Sequence, residues 1–399
     1  EASVSLWRLF SFILRQALEG VFTATECLEC HEGVTPGIVR EWRTSRHAKA
    51  EKPVSCPDCH GDDHQRIAFP TPKTCGVCHP QRLEQMEEEK RYGFPSHALA
   101  MERVVDNKHF TDKPKAEVLP CLQCHSVATK CDSCHTRHRF DAAEARRPEA
   151  CQTCHSGPPH PDDEAFFSSA HGRRYKKEGA SWDWNKPLTK GNYSAPTCAY
   201  CHMRNGNHQV ADKAVWKFGI REINPYAAEN VIKRKRWQET CVDCHPQEVV
   251  KPFFLSLDIE RKEAWTLLYQ VEKWLKKLRS DGLLRPSARE RPAYPVDVMA
   301  QWWPRERIGF FEGQASAFYN VSAIERDYFD LWYFDNLGAY KGTAHGAQEM
   351  AQRFHQHMET KAAAIRKAAE QLQQSGKSPT DMKHIWLNGE YTIFNRDHN

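Results

Sequence analysis

The apolar positions divide the chain into two parts with different patterns. Residues 26–250 contain no long stretch of regularly spaced apolar residues, and proline and glycine recur throughout. This pattern predicts short helices and loops, because proline and glycine interrupt regular elements. Residues 251–399 instead contain several stretches with helical spacing. We therefore predict a mainly α protein, in which a segment of short helices precedes a C-terminal bundle of long helices.

The first two long helices are predicted from stripes and caps. One begins at Ser256 and ends at Gly282. Its apolar stripe consists of Ala264, Leu268, Val271, Leu275 and Leu278. The other begins at Ser322, which has capping-box spacing to Glu325, and ends near Gly338 or Gly342.

A third long helix is predicted from about Thr343 to Gly376. Its apolar residues follow near-heptad spacing: Ala347, Ala351, Phe354, Met358, Ile365 and Leu372. Such a stripe requires a partner helix, either within the chain or in another subunit.

Residues 1–25 form a separate amphipathic segment at the N-terminus. Its apolar residues share one broad helical face: Val4, Trp7, Phe10, Ile13, Leu14, Ala17, Leu18 and Val21. Arg8, Arg15 and Glu19 interrupt the stretch, so a membrane span is not expected. The face of residues 1–22 could lie on a membrane surface or pack on the protein's own body.

Composition suggests that side chains alone do not fill the interior. The chain has 399 residues, of which only 40% are hydrophobic, and its mean hydropathy is −0.73. This fraction of apolar side chains is low for a protein of this size. A bound apolar group would supply the missing core.

All 16 cysteines belong to Cys-x-x-Cys-His units, and three of these units lie between residues 121 and 160. The pairs are Cys27 and Cys30, Cys56 and Cys59, Cys75 and Cys78, Cys121 and Cys124, Cys131 and Cys134, Cys151 and Cys154, Cys198 and Cys201, and Cys241 and Cys244. A histidine after every pair is typical of covalent c-type haem attachment and excludes disulfide frameworks and zinc ribbons. We predict eight covalently bound haem c groups, with iron as the metal.

Histidines in the same region can supply the axial iron ligands. The proximal ligands are His31, His60, His79, His125, His135, His155, His202 and His245. Of 21 histidines, 13 remain, and eight of these lie in the haem region. The predicted distal ligands are His47, His64, His97, His109, His138, His171 and His208.

The eighth remaining histidine, His160, stands apart because it lies in a Gly-Pro-Pro-His-Pro segment. Its rigid setting favours a fixed ring beside a substrate over coordination of an iron. Seven distal ligands leave one of eight irons open, as a catalyst requires and an electron wire does not.

The runs CDSCHTRHRF, CQTCH and PTCAYCHM, with residues 144–150, 169–172 and 182–184, resemble the octahaem hydroxylamine oxidoreductase family. The resemblance covers residues 26–250 closely and residues 251–399 loosely. It implies short helices and loops wrapped around eight haems, followed by C-terminal helices that join a homotrimer.

The resemblance also implies site roles. The fourth unit, with Cys121, Cys124 and His125, would carry the catalytic haem, and His160 would belong to a distal Asp-His pair. The residue before it is Pro159 rather than the family's aspartate, while Asp162 and Asp163 follow closely and could take its place as the partner of His160.

A second departure concerns a tyrosine. Oxidising members cross-link a tyrosine from a neighbouring subunit to the catalytic haem, and by local pattern Met350 stands in that position here. Tyr328, Tyr333 and Tyr340 are the other candidates. The chain therefore resembles members without the cross-link.

Three functions remain open from the sequence. The first is reduction of hydroxylamine and nitrite to ammonium at an open, five-coordinate haem, with His160 as proton donor. The second is oxidation of hydroxylamine or hydrazine at the same haem. The third is a non-catalytic electron conduit.

Location and partners follow from the cofactor. Haem c attachment predicts a periplasmic or equivalent extracytoplasmic compartment. The formal charge of +4 does not indicate nucleic-acid binding, because haem propionates offset it. The expected redox partner is a cytochrome, either a separate one or a membrane cytochrome that oxidises quinol.

Overall fold

The computed structural model describes residues 20–87, 130–157, 161–188, 190–210, 228–284 and 322–376. Within these ranges the chain is helical, and only an isolated antiparallel bridge joins Val21 to Asp63. The predicted mainly α fold is confirmed. The face of residues 1–19, the fourth attachment unit, His97, His109 and His160 lie outside the described residues.

The described part of the haem region consists of short helices joined by loops, as predicted. The α-helices are α1 (Ala24–Val34), α2 (Pro36–Thr44), α3 (Cys56–His60), α4 (Pro72–Gly76), α5 (Pro80–Glu87), α6 (Ala142–Ala145), α7 (Pro148–Gln152), α8 (Asp162–Ser168), α9 (Ala170–Glu178), α10 (Cys198–His202) and α11 (Ala228–Cys241). Single 3-10 turns lie at His64–Arg66, Cys131–Ser133, Gly179–Ser181 and Arg204–Gly206.

Local sequence explains why the attachment units form single turns. Capping boxes start α1 at Thr23 and α3 at Ser55, while Pro72 and Pro148 occupy the first positions of α4 and α7. Proline fits there because the first helical N–H groups have no partner within the helix. In the unit at Cys75, as in those at residues 131, 151 and 241, the carbonyl of the first cysteine accepts the N–H of the histidine.

Two long and two short helices form the described part of the C-terminal bundle: α12 (Gln247–Ser280), α13 (Ala323–Asp330), α14 (Asn336–Ala344) and α15 (Gln348–Ser375). A π-helical turn, Leu331–Asp335, joins α13 to α14. The capping box of Ser322 and Glu325 is confirmed at the start of α13.

Two predicted helix starts are wrong. Helix α12 starts at Gln247 and runs through Pro252, so Ser256 lies inside it, where its hydroxyl bonds to the Phe253 carbonyl. It also crosses residue 250, where the predicted haem region ends. Helix α15 starts at Gln348, because Gly346 adopts a left-handed turn at φ +71° that separates it from α14.

The bundle contains the main side-chain core of the described residues. Ala264, Leu268, Val271, Leu275 and Leu278, the predicted stripe of α12, are all fully buried. The α15 residues Met358 and Ile365 belong to the same core. The stripe of α15 thus packs within its own chain, so the intrachain alternative is confirmed.

In the described haem region, buried apolar side chains form only small clusters. One contains Trp182 and Trp184 with Ala143 and Ala195, and the other joins Ala165 to the C-terminal helices. Such sparse packing fits a region whose interior is filled by porphyrins, in agreement with the low hydropathy of the chain.

Candidate haem sites

Five pairs of histidine rings face each other in the described structure. Each pair joins the histidine of an attachment unit to one predicted distal ligand. The pairs and their centroid distances are His31 and His64 (6.3 Å), His79 and His47 (6.2 Å), His60 and His138 (6.1 Å), His135 and His208 (6.3 Å), and His245 and His171 (5.9 Å).

These distances fit one iron between each pair of rings. A metal–imidazole nitrogen bond is about 2 Å long and the nitrogen lies about 1 Å from the ring centroid, so two axial rings place their centroids about 6 Å apart. The gap is too wide for a direct hydrogen bond between the rings. The residues present therefore fit bis-histidine haems at the first, second, third, fifth and eighth units.

The electrostatic surroundings of the distal rings favour their neutral form. Burial lowers the pKa of His47, His138, His171 and His208, and the facing proximal histidine lowers each further. Neutral imidazole is the form that coordinates iron. The same four side chains thus combine position and protonation state suited to axial ligands.

The attachment cysteines lie in a continuous series. Cys27 lies near Cys56, and Cys59 lies near Cys75. The thiols of Cys75 and Cys131 are within hydrogen-bonding distance, which brings the third unit against the fifth.

The series continues beyond the fifth unit. Cys134 lies near Cys151, and the thiols of Cys151 and Cys198 are again within hydrogen-bonding distance. Tyr200 next to the seventh unit lies near Cys244 of the eighth. Haems on these cysteines would form one connected path along which electrons could pass.

Six histidines of residues 26–250, three of them proximal, belong to none of the five pairs seen in the described structure. The proximal ones are His125, His155 and His202, and the others are His97, His109 and His160. His202 stands edge-on to Trp237 at 5.3 Å between ring centroids. The predicted site of the fourth haem and His160 falls outside the described residues.

The proximal rings differ in what their Nδ1 atoms contact. His31 contacts the Thr35 hydroxyl at 2.7 Å, and His60 contacts the Ala68 carbonyl at 2.9 Å. His155 contacts the carboxylate of Asp162 at 3.2 Å. These contacts direct Nε2 of each ring away from the partner and leave it for iron.

Asp162 has a second partner from the C-terminal bundle, since Lys341 Nζ donates to the same carboxylate oxygen at 2.5 Å. Burial alone would raise the pKa of Asp162, but Lys341 and then His155 hold it well below its ordinary value. His345 lies nearby, with its Nδ1 at 2.8 Å from the Lys341 carbonyl, and burial lowers its pKa. This cluster joins the sixth unit to α14.

Sequence reasoning missed Lys341 and His345 and gave Asp162 a different role. Asp162 was one of two residues considered as a partner for His160, yet here it bonds to His155 and Lys341. The other, Asp163, accepts from the Gln152 side chain at 3.2 Å. Nothing in the sequence spacing brings residue 341 to residue 162, so only the fold reveals the cluster.

The residues considered for the tyrosine position all pack within this chain. Tyr328 donates to Glu272 at 2.6 Å and is buried, as is Tyr333. Tyr340 packs against the same core under the Arg261 guanidinium, 5.0 Å from its ring centroid. Met350 is buried against Ala165 of α8, in a small cluster of this chain's own residues.

No helix among the described residues combines the length and apolar character needed to span a bilayer. The described residues also contain no group of three or more His, Cys, Asp or Glu side chains suited to a further metal ion.

Two family models match the chain. The model described as "seven times multi-haem cytochrome CxxCH" matches residues 51–292. A model for cytochrome c7 and related cytochrome c matches residues 15–80.

A curated relative is the probable nitrite reductase-hydroxylamine oxidoreductase fusion protein of Kuenenia stuttgartiensis. It is 31% identical over 415 residues, a match that covers 82% of this chain and 49% of the relative. The chain therefore spans about half the length of that protein.

Solved structures agree with the family models. The reducing HAO-like protein complex of Kuenenia stuttgartiensis matches with a TM-score of 0.73 and 31% identity, over 88% of this chain and 86% of that one. A hypothetical multiheme protein matches with a TM-score of 0.67 over 88% and 96% of the two chains. At 18% identity, the second match shows the shared fold alone.

Proposed function

Because this chain belongs to the multihaem cytochromes of the hydroxylamine oxidoreductase type, we propose that it reduces hydroxylamine and nitrite to ammonium at one open haem. The fourth unit, with Cys121, Cys124 and His125, binds that haem. The remaining haems carry electrons to it.

The histidine count is the observation that carries this proposal. The five facing pairs fit five haems and use five of the seven predicted distal ligands. For the haems of His125, His155 and His202, the remaining histidines of the haem region are His97, His109 and His160. If His97 and His109 serve two of them, one iron stays open and His160 stays free beside it.

The direction of the reaction rests on the residues considered for the position of the cross-linking tyrosine. Tyr328, Tyr333 and Tyr340 pack into their own bundle, and Met350 is buried in the predicted tyrosine position. Without a cross-link, the haem supplies electrons to a bound nitrogen compound. The relatives' names, which include a nitrite reductase part and a reducing complex, support the same direction.

His160 supplies protons to the same place. Conversion of hydroxylamine to ammonium and water takes up two electrons and three protons. Imidazole titrates near neutral pH, so it can release a proton as the N–O bond breaks and regain one from solvent. In sequence His160 directly precedes Pro161, the N-cap residue of α8, and α8 packs against the C-terminal bundle.

The test is turnover by the purified holoprotein in both directions. With a reduced low-potential donor, hydroxylamine should be consumed and ammonium should appear in equal amount. With an oxidised acceptor and no donor, hydroxylamine oxidation should be much slower. Fast oxidation combined with no reduction would show that the oxidase alternative is correct.

The setting of the enzyme is also a proposal. We infer a full set of eight haem c groups, a periplasmic or equivalent compartment, and delivery of electrons by a cytochrome, including a membrane quinol-oxidising one. Contact of residues 1–22 with a membrane stays a prediction. The HAO-like relative is part of a protein complex, which supports assembly with a partner protein. A homotrimer is proposed from the family resemblance.

A further inference from the structure

The carboxylate of Asp162 gives the sixth attachment unit a charged connection to the C-terminal bundle. Its oxygen accepts hydrogen bonds from Nδ1 of His155 and from Nζ of Lys341. The Lys341 and Asp162 side chains are 14% and 25% exposed, so water screens this pair only partly. The equivalent contacts of His31 and His60 are to uncharged oxygens.

A carboxylate that accepts the Nδ1 proton would change the reduction potential of an iron that the ring coordinates through Nε2. The anion draws the proton from the ring, so the imidazole becomes a stronger electron donor. A stronger donor and a nearby negative charge both stabilise ferric over ferrous iron, which lowers the reduction potential. A neutral acceptor such as a hydroxyl or a carbonyl has a weaker effect.

Lys341 acts in the opposite sense. Its positive charge neutralises part of the carboxylate, reducing the pull of Asp162 on the His155 proton. Because Lys341 belongs to α14, this opposing charge is present only while α14 packs against α8. The potential of the sixth haem is thereby linked to docking of the C-terminal helices.

We propose that Asp162 and Lys341 form a tuning pair for the sixth haem, in which Asp162 lowers its reduction potential and Lys341 limits the lowering. The sixth unit is a suitable place for such control, because Cys134 of the fifth unit and Cys198 of the seventh both lie near Cys151. Electrons that pass between those two units would cross the sixth haem.

The inference requires a haem on Cys151 and Cys154 but no particular substrate or direction of electron flow. Its failure would therefore leave the proposed reduction of nitrogen compounds intact. Conversely, a protein that turned over neither hydroxylamine nor nitrite could still show the tuning.

The experiment is a spectroelectrochemical titration of three holoprotein variants, with the low-spin ferric signals followed by electron paramagnetic resonance. Asp162→Asn should shift one haem component to higher potential, because the amide keeps a partner for His155 without the charge. Lys341→Gln should shift the same component to lower potential. The other components should stay in place in both variants.

Glu164→Gln is the matched control. Glu164 lies on the same helix as Asp162 and pairs with Arg353 of α15, so it joins the same two parts of the protein. The ion pair of Glu164 is with Arg353 rather than with an attachment unit, so its loss should leave every potential unchanged.

Opposite shifts of one component by the two substitutions would support the tuning pair. The proposal is overturned if Asp162→Asn leaves all components unchanged, or if Lys341→Gln shifts potential upward as well. If the Asp162→Asn protein lost haem during maturation, the test would rest on Lys341→Gln alone. The absence of a downward shift in potential in that variant would refute the proposal.

Discussion

The ring of His171 faces that of His245 at 5.9 Å between centroids, although one lies in α9 and the other follows α11. The fold thus brings a histidine without an attachment motif opposite the histidine of the eighth unit. A single iron fits between them. Four other pairs of histidine rings face each other at a similar distance, so the described residues fit a set of bis-histidine haem sites.

His171→Ala should convert the eighth haem from six-coordinate low-spin to five-coordinate high-spin. The reason is that only His245 would remain as an axial ligand from the pair. Magnetic circular dichroism of the ferric protein would count the additional high-spin haem, and added imidazole should reverse the change.

His357→Gln is the control for that substitution. His357 lies on α15, its side chain is 56% exposed, and it stands 3.9 Å from Asp335 rather than opposite an attachment unit. Its substitution should leave the haem spin states unchanged. An unchanged spectrum in His171→Ala itself would contradict the pairing.

Gly172→Ala should displace α9 and disturb the same haem. An added Cβ would lie 2.0 Å from the Phe166 carbonyl oxygen and 2.6 Å from the Phe167 Cα, and these backbone atoms cannot move aside cheaply. We expect a loss of about 1–3 kcal/mol in unfolding free energy, measured by denaturant titration, together with a partial loss of the low-spin signal.

Gly37→Ala is the matched control, because its new Cβ would approach only the Arg40 side chain, at 3.9 Å. No destabilisation is expected there. Equal stability of both alanine variants would show that the turn between α8 and α9 is looser than this account requires.

Much of the fold could be predicted from sequence because its determinants are local. Cysteine spacing identifies attachment units, the apolar stripe from Ala264 to Leu278 identifies the buried face of α12, and Ser322 with Glu325 identifies the start of α13. Each of these signals is contained within a few helical turns.

Helix starts and ligand pairing could not be predicted in the same way. The sequence predicts that α12 starts at Ser256, yet the helix begins at Gln247 and continues through Pro252. Which distal histidine faces which unit depends on contacts between residues as distant as 47 and 79 or 60 and 138. The bond between Asp162 and Lys341 likewise joins two parts of the chain whose patterns are unrelated.

Met358→Ala should destabilise the bundle by about 2–5 kcal/mol, because it removes a fully buried side chain from the core around α12. The midpoint of chemical unfolding would measure the loss. Arg366→Ala, on an exposed part of the same helix, should change stability by less than about 0.5 kcal/mol.

The same pair of variants tests how α15 packs. Since the stripe of α15 faces its own chain, Met358→Ala should not by itself change the oligomeric state under native conditions. Analytical ultracentrifugation would check this. Dissociation of an otherwise folded assembly by Met358→Ala would mean that the stripe also contacts another subunit.

His160→Ala should slow hydroxylamine and nitrite reduction roughly a hundredfold, the usual scale for a positioned proton donor. Steady-state turnover with a reduced donor would measure the effect, and pyridine haemochrome would verify that haem content is unchanged. Appearance of a new five-coordinate haem in this variant would instead identify His160 as an axial ligand.

The central claim is that one haem per chain is open while the others are closed by two histidines. Titration of the fully matured protein with cyanide, followed by magnetic circular dichroism, counts open ferric haems directly. The account predicts one high-spin haem per chain that is converted to low-spin by one equivalent of cyanide. A protein with all haems low-spin and no cyanide binding would be an electron conduit, and that result would contradict the account.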